Sequence, residues 1–349
     1  MTACIEGMWR MKKTYRDLQV QKSDDFNSIV SSVELPFPFD AKFINLLKEN
    51  NLFPQEYYYI RNNDDFAFFI LSKMKLNIFT FAKLKLSMKI KIIGMPCSIS
   101  EQGYYTNNEK MMLDYIKTIK GVKLVLNVQK TIPEQGITVG KTLPTCIFVN
   151  DFKNIHEYMS SLRSSYRRRI SKAIVNCENI VIQELKGKCP KTVYDLYLRT
   201  YEKSPYKLER LEAPFFDKVD SDKILFSKDG VALGFVLLKK HKETLYFMLC
   251  GMNYDVDVAD LYYYMLYKII EYAIENKCKI IDFGQTSEET KLKMGAQLQE
   301  RYFYVHHTNE ILNKIINKSK NLLEYKHNLQ KFDVYKEEKI LEQNESIIS

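Results

Sequence analysis

Polar side chains gather in residues 280–296, where an apolar strand gives way to a turn and a short helix. The strand is predicted over residues 279–283, the turn begins at Gly284, and the helix carries Lys291 before Gly295. Polar groups at the C-terminal end of a strand, beside the start of a helix, are well placed to line a pocket. These residues are therefore the first candidates for a binding or catalytic site.

The polar side chains around this turn each allow two interpretations. Gln285 and Ser287 lie in the turn, where they either bind a substrate or only cap the helix that follows. Asp282 alternates with Ile281 and Phe283 along the strand, so its side chain faces away from theirs. It either orients a bound group or faces solvent.

Sequence motifs of several common enzyme classes are absent. The chain contains no GxGxxG, GxxxxGK[ST], HExxH or GxSxG pattern. Its 5 His are not spaced to bind a metal from one element, and its 7 Cys form no CxxC pair. We therefore expect no metal site, and thiols that stay reduced.

The elements predicted around the candidate segment follow an order that occurs twice in the chain. Residues 83–92 alternate strictly between polar and apolar side chains, which predicts a half-buried strand with Leu84 and Leu86 on its apolar face. The other predicted elements of the first half are strands at 66–71, 76–81, 122–128 and 145–149 and a helix at 108–119. The second half has predicted strands at 224–226, 231–238, 245–250, 279–283 and 302–306 and a helix at 259–275.

The two halves keep a constant offset. Gly94 and Gly251 are separated by 157 positions, and so are Gly121 and Cys278. This predicts two related units of the α/β (α+β) class, with mixed, mostly antiparallel sheets flanked by helices. The alternative is that the spacing of elements in the two halves agrees by chance. The predicted boundaries are 1–150 for the first unit, 151–310 for the second, and 311–349 for a basic helix and a frayed tail.

A helix predicted over residues 154–176 connects the halves. Its buried stripe repeats every four residues, and basic side chains crowd its other faces. Such a run of arginines, including Arg167 and Arg168, either contacts phosphates or is a solvated helix face. A second basic amphipathic helix is predicted over residues 310–329, and the charged tail after Phe332 is expected to add nothing to a core.

Composition describes a globular protein. The chain has 349 residues, of which 46% are hydrophobic and 27% charged, and it carries a net charge of +9. The charge suits an anionic partner, such as a coenzyme A phosphate, a nucleic acid or a membrane surface, and equally an unspecialised basic surface. Because residues 1–20 hold no apolar block and no apolar run spans a bilayer, we expect a cytoplasmic location without integral membrane association.

Residues 283–296 resemble the FG…S…K…GA block of GNAT-superfamily acyltransferases of the branch called acetyltransferase domain 6, or BioF2-like, which is related to the FemAB peptidyltransferases. Residues 247–254 and the following helix resemble the strand, GMN-type turn and long helix of that branch. Residues 166–173 are similar to the basic helix that opens its catalytic domain. The resemblance covers residues 150–310 and, more loosely, the first half. It implies two tandem GNAT-like units, the first of them non-catalytic.

The resemblance implies acyl transfer to an amine, with the site between the strands at 245–250 and 279–283. Lys291 would be the catalytic residue, stabilising the oxyanion or protonating the leaving group; the alternative is a solvated helix lysine beside Glu288. The substrate-binding residues implied are Gln285, Ser287, Asp282 and Tyr262. The donor-binding residues implied are Leu249, Gly251, Met252, Asn253, Arg167 and Arg168.

The loop before the long helix departs from the family pattern. CoA-dependent GNAT enzymes have a glycine-rich Q/RxxGxG/A loop there, whose N–H groups hold a pyrophosphate. Residues 253–260 contain no glycine and include three carboxylates, which repel phosphate. The expected function is N-acyl transfer with acyl-CoA as co-substrate and a small-molecule or cell-wall-precursor amine as acceptor. The alternatives are a Fem-like transferase that uses aminoacyl-tRNA, and a catalytically silent module that binds RNA or a protein.

Overall fold

A computed structural model of the chain describes residues 14–15, 17–30, 35–77, 81–82, 86–326 and 331–336. The chain divides into two compact units. Unit 1 consists of Met1–Leu143, Pro205–Phe215 and Glu300–His327, and unit 2 of Pro144–Ser204, Phe216–Gln299 and Asn328–Ser349. Each unit holds one mixed sheet, mostly antiparallel, with helices beside it, so the expected fold class is confirmed.

The described residues form 15 strands and 11 helices, more than the sequence pattern predicts. The strands are β1 (Gln19–Ser23), β2 (Gln55–Asn62), β3 (Asp65–Asn77), β4 (Ser87–Ile93), β5 (Tyr104–Thr106), β6 (Val122–Val128), β7 (Thr138–Lys141), β8 (Thr145–Val149), β9 (Val181–Glu184), β10 (Asp222–Lys228), β11 (Val231–His241), β12 (Thr244–Met252), β13 (Ile280–Asp282), β14 (Gln297–Gln299) and β15 (Tyr302–His307). The helices are α1 (Asn27–Val30), α2 (Ala41–Asn50), α3 (Glu109–Thr118), α4 (Ile155–Ser161), α5 (Ser164–Asn176), α6 (Lys191–Lys203), α7 (Ala213–Lys218), α8 (Leu261–Glu275), α9 (Glu288–Lys293), α10 (Glu310–Lys318) and α11 (Lys320–Leu323).

The two sheets have the same plan. The sheet of unit 1 has the order β1-β2-β3-β4-β6-β15-β7, with β5 added beside β3, and that of unit 2 has the order β9-β10-β11-β12-β13-β8-β14. Among the described residues, two strand pairs are parallel, β4 with β6 and β12 with β13, and the others are antiparallel. Each parallel pair is joined by a helix, α3 in unit 1 and α8 in unit 2, as a parallel connection requires.

The last strand of each half belongs to the sheet of the other unit. β8 is the last strand of the first half of the sequence, but it pairs with β13 and β14 of unit 2. β15 is the last strand of the second half of the sequence, but it pairs with β6 and β7 of unit 1. The predicted boundary at residue 150 therefore separates β8 from its sheet. The predicted second unit, which ends at residue 310, includes β15, a strand of unit 1. Strand pairing of this kind is not visible in a linear pattern.

The half-buried strand predicted over residues 83–92 is shorter than expected. β4 begins at Ser87, its Ile90 and Ile92 are buried, and Lys89 is exposed. Leu86 precedes the strand and is 51% exposed, so its expected burial is wrong. Leu84 lies outside the described residues. Residues 66–71 and 76–77 belong to one strand, β3, and residues 78–80 of the strand expected at 76–81 lie outside the described residues.

Two further expectations fail where the chain after residue 330 packs on unit 2. The helix expected over residues 154–176 breaks, because Leu162 pairs with Tyr335 and the extended Arg163 donates its N–H to the carbonyl of Val334 at 2.9 Å. Val334 and Tyr335 are 3% and 6% exposed and join the core of unit 2, so the tail contributes to a core after all.

Candidate functional site

The two parallel strands of unit 2 pair over three residues only, and the region beyond these paired residues is called the cleft below. β12 pairs with β13 only from Thr244 to Tyr246, and β12 then continues to Met252 while β13 ends at Asp282. A register shift against β11 leaves Met248 as an extra residue in this part of β12. Bulges of this kind redirect backbone groups and side chains beside functional sites. The cleft lies where α/β folds commonly bind ligands, outside the carboxyl ends of parallel strands.

The turn between β13 and α9 has an unusual backbone. Gly284, Thr286 and Ser287 have φ of 70°, 66° and 49°, in the left-handed region. That region costs a non-glycine residue about 1–2 kcal/mol. The turn is held by the N–H of Gly284, which donates to Asp282 Oδ1 at 2.7 Å, and by the carbonyl of Gly284, which accepts from the N–H of Cys146 at 3.0 Å. Strain of this size is typical of functional sites.

Lys291 points back from α9 into this turn and is 2% exposed. Its Nζ donates to the carbonyl oxygen of Gln285 at 2.9 Å and lies 3.5 Å from that of Gly284. Burial lowers the pKa of the ammonium group, and this effect outweighs the neighbouring groups that raise it. The interpretation of Lys291 as a solvated helix lysine is therefore wrong.

Acidic side chains and thiols surround the ammonium group. Asp282 and Glu288 are 5% and 7% exposed and act on Lys291 through their charges, so Asp282 does not face solvent. Burial raises the pKa of Cys146 to about 12 and that of Cys250 to about 11. Both thiols are thus protonated at neutral pH, which makes them poor nucleophiles.

Tyr262 and Ser287 meet at the same turn. The Tyr262 hydroxyl and the Ser287 side chain form a hydrogen bond, and burial raises the pKa of Tyr262. Ser287 makes no side-chain cap to α9, so that alternative is wrong for Ser287. Gln285 is half-buried, and its backbone carbonyl accepts the hydrogen bond from Lys291 Nζ. The structure thus brings Lys291, Asp282, Gln285, Ser287 and Tyr262 together.

The residues expected to bind a donor are held by internal contacts. Leu249 and Gly251 are buried, and a Cβ on Gly251 would overlap the backbone of Leu196 in α6. The N–H of Met252 donates to Thr200 Oγ1 at 3.0 Å. Asn253 donates its N–H to Leu233 and its Nδ2 to Ala232, at 2.8 and 3.1 Å. These contacts fix the edge of the cleft.

Two cations that the sequence did not single out lie over the acidic loop. Arg199 of α6 donates from Nη1 to Asn253 Oδ1 at 2.8 Å and forms an ion pair with Asp255. Lys203, one helical turn later, lies 3.6 Å from the ring centroid of Tyr254. Because Arg199 and Asn253 are 54 positions apart, no local pattern could have revealed the contact.

The N-terminus of α8 carries its own anion. Asp260 precedes the helix, and its carboxylate forms an ion pair with Arg169 at 2.5 Å and accepts from Asn176 Nδ2 at 3.0 Å. Arg169 lowers the pKa of Asp260 through a hydrogen bond. Arg167, expected at a donor, is half-buried, and Arg168 Nε lies 3.4 Å from Ser164 O in its own helix.

The described part of the chain holds no group of three His, Cys, Asp or Glu side chains arranged to bind a metal ion. Nor does it hold a helix long and apolar enough to cross a bilayer.

Known proteins resemble this chain in structure and not in sequence. No protein-family model matches the sequence, and no curated protein matches it. Among solved structures, FemX is 13% identical, with a TM-score of 0.47 over 85% of this chain and 100% of its own. L-PGS from Bacillus licheniformis is 8% identical, with a TM-score of 0.48 over 81% of this chain and 97% of its own.

A tandem GNAT protein from the clavulanic acid biosynthesis pathway is 8% identical, with a TM-score of 0.47 over 84% of this chain and 99% of its own. These likenesses concern the fold alone. The two units, each with one mixed and mostly antiparallel sheet flanked by helices, have the fold class that the sequence predicts.

Proposed function

We propose that unit 2 is an acyltransferase that forms an amide between a donor carbonyl and an amine. The observation that carries the proposal is Lys291, a buried ammonium group aimed into the turn at the end of β13, where the parallel strands separate. A buried lysine is rare unless it is paired or functional. The strained turn and the surrounding acids support the same interpretation.

Amide formation requires groups that transfer protons and stabilise charge, and the residues around Lys291 can supply both. The amine nitrogen attacks the donor carbonyl, the bond from carbon to the leaving sulfur or oxygen breaks, and the amine proton is lost while the leaving atom gains one. Protonated Lys291 stabilises the negative charge on the carbonyl oxygen or protonates the leaving atom. Asp282 and Glu288 favour this protonated form, and burial opposes it. Gln285, Ser287 and Tyr262 orient the substrates at the turn.

The donor is either an acyl-CoA or an aminoacyl-tRNA. A pyrophosphate would need the N-terminus of α8, the place in this fold where N–H groups point outward beside the cleft. The carboxylate of Asp260, which is ion-paired with Arg169, lies immediately before that terminus and would repel a phosphate, and Arg199 is paired with Asp255. This favours the second candidate, a transferase that takes an aminoacyl ester from tRNA and delivers it to an amine of a cell-wall precursor.

Unit 1 repeats the parallel pair, and we assign it no catalysis. Residues 95–101 lie across the ends of β4 and β6, with Cys97, Ile99 and Ser100 buried. Asn127 Nδ2 of β6 lies 3.4 Å from the Glu101 carbonyl, and a Cβ on Gly103 would overlap the backbone of Gly94. This filled strand end supports a structural role for unit 1.

A transfer assay on the full chain tests the proposal. Acyl-CoAs and aminoacyl-tRNAs are offered with a panel of amines, and amide products are identified by mass. We expect product with one donor class, and a fall in kcat of roughly 10²–10⁴-fold in Lys291→Met, the usual contribution of a positioned acid or base.

The matched control is Lys293→Met, on the same helix but with a surface ion pair to Glu289. It should leave the rate nearly unchanged. Equal losses in the two variants, or no product with either donor class, would contradict the assignment of Lys291 and of the cleft.

A further inference from the structure

The helix α10 carries apolar side chains that the described residues of unit 1 leave exposed. Ile311 is 70% exposed, Ile315 53% and Leu312 45%. The opposite side of the helix faces unit 1: Ile316 packs on the core between α10 and the sheet, and Asn313 Nδ2 donates to the Gly136 carbonyl at 2.7 Å. Because Ile311 and Ile315 are one turn apart, they form a ridge on the outward face.

The ridge continues into α11 and an aromatic cleft. Leu322 is 45% exposed and lines a cleft of about 390 Å³ together with Phe81, Tyr206 and Tyr325. The Phe81 ring lies 6.0 Å from that of Tyr206 and 5.1 Å from that of Tyr325, measured between ring centroids. Phenol rings with an apolar body and a polar tip are typical of the boundary between water and lipid.

Lysines flank the ridge. Lys314 and Lys318 lie on the exposed side of α10, and Lys320 and Lys326 lie on α11 and at the rim of the cleft. The acids of this surface are Glu310, in the first turn of α10, and Glu324, which pairs with Lys320 at 3.5 Å and accepts from the Lys141 N–H at 3.2 Å. Residues 310–326, all of them described, thus carry four lysines and two acids, which makes this part of the surface positive.

We propose that unit 1 binds the surface of an anionic lipid bilayer through this basic ridge, defined as Ile311, Lys314, Ile315, Lys318 and Leu322. The isoleucines and Leu322 enter the boundary between headgroups and acyl chains, and the lysines bind lipid phosphates. The protein lies on the membrane and does not cross it. This inference is independent of the acyl transfer proposed for unit 2.

The chemistry of the ridge distinguishes a bilayer from other partners. A nucleic acid would use the lysines but would leave Ile311 and Ile315 in water, at a cost proportional to their exposed apolar area. A second copy meeting the ridge through a two-fold axis would bring its lysines against like charges. An anionic bilayer satisfies the apolar and the basic side chains together.

Vesicle co-sedimentation of the full chain tests the inference. Vesicles of phosphatidylcholine alone are compared with vesicles that also contain phosphatidylglycerol, at low and high salt. Binding is expected only with phosphatidylglycerol, and it should weaken with salt. The double variants Lys314→Gln/Lys318→Gln and Ile311→Ser/Ile315→Ser should each lower the partition coefficient about tenfold or more.

Matched double variants on unit 2 control for the loss of exposed groups in general. Val175→Ser/Val181→Ser removes two side chains that are each 62% exposed, and Lys186→Gln/Lys188→Gln removes two exposed charges. Both should bind as the wild type does, and circular dichroism verifies that every variant is folded. Absence of wild-type binding, binding that the ridge variants leave unchanged, or a dimer that Ile311→Ser/Ile315→Ser dissociates would each overturn the inference.

Discussion

Burial, and not a strong partner, sets the chemistry of Lys291. Its Nζ donates to backbone carbonyls, which are neutral, and the acids beside it do not restore the ordinary pKa. A lysine that releases its proton more readily than usual is a better proton donor to a leaving group. Lys293, two positions later on the same helix, has the opposite environment, because the hydrogen bond that it donates to Glu289 raises its pKa.

The two lysines should therefore affect stability with opposite dependence on pH. Below the ordinary lysine pKa of 10.5, the unfolded chain takes up the Lys291 proton more readily than the folded protein does. Stability of the wild type relative to Lys291→Met should thus rise as pH increases toward 10.5, because the unfolded state binds more protons. Denaturant unfolding of both proteins across a pH series measures this difference.

Lys293→Met is the internal control for this experiment. The stability that Lys293 contributes is fully present below pH 10.5 and is lost as the pH rises through its raised pKa. The difference in unfolding free energy between the wild type and Lys293→Met should therefore fall with pH, whereas that for Lys291→Met should rise. Two curves of the same slope would mean that Lys291 is solvated in the folded protein.

At the scale of elements, the chain after residue 330 positions the helix that carries Lys291. Tyr158 donates its hydroxyl proton to the Met294 carbonyl at 2.9 Å, and Gly295 lies under the phenol of Tyr335. Gly295 has a φ of 100°, and a Cβ there would overlap the Tyr335 hydroxyl. The end of α9 is thus defined by α4 and by residues distant in sequence.

Gly295→Ala should destabilise the protein by about 2–4 kcal/mol, the sum of a strained backbone and an overpacked contact. In the background of Tyr335→Leu, where the phenol oxygen is gone, the cost should fall to about 1–2 kcal/mol, the backbone share alone. Chemical denaturation of the four proteins gives the coupling free energy. Additive costs would show that Tyr335 does not contact residue 295.

Local patterns predicted the elements far better than their contacts. The helix α8, the turn at Gly284 and the strands β6, β11 and β12 follow from periodicity and residue type. The strands β1, β2, β5, β7, β9 and β14 were not predicted. The burial of Lys291 does not, because a lysine at that helical position is equally consistent with solvent exposure. The contacts of Arg199 and Tyr335 join residues far apart in sequence, and only tertiary packing creates them.

At the scale of the whole molecule, the repeated plan includes an exchange of strands. β8 and β15 occupy equivalent positions in the two halves of the sequence, and each pairs in the sheet of the other unit. Each unit therefore needs segments from both halves of the chain. Cutting the chain at residue 150 would leave β13 and β14 without the strand that lies between them.

A proline in an exchanged strand should consequently act on the unit that the strand joins. Ile147 lies in β8 opposite Asp282 of β13 and Gln297 of β14, and Tyr304 lies in β15 opposite Val125 of β6 and Val139 of β7. Proline cannot donate to a strand ladder, so either substitution breaks pairing on the sheet that receives it.

Native-state hydrogen exchange on the full chain locates the damage. Ile147→Pro should lower amide protection in β13 and β14 and leave β2 and β3 protected, while Tyr304→Pro should lower protection in β6 and β7 and leave β10 and β11 protected. The reverse pattern, in which Ile147→Pro lowers protection in β6 and β7, would mean that β8 pairs in the sheet of unit 1. Loss of protection throughout the chain in both variants would mean that the two units unfold as one, because the exchange has joined their stabilities.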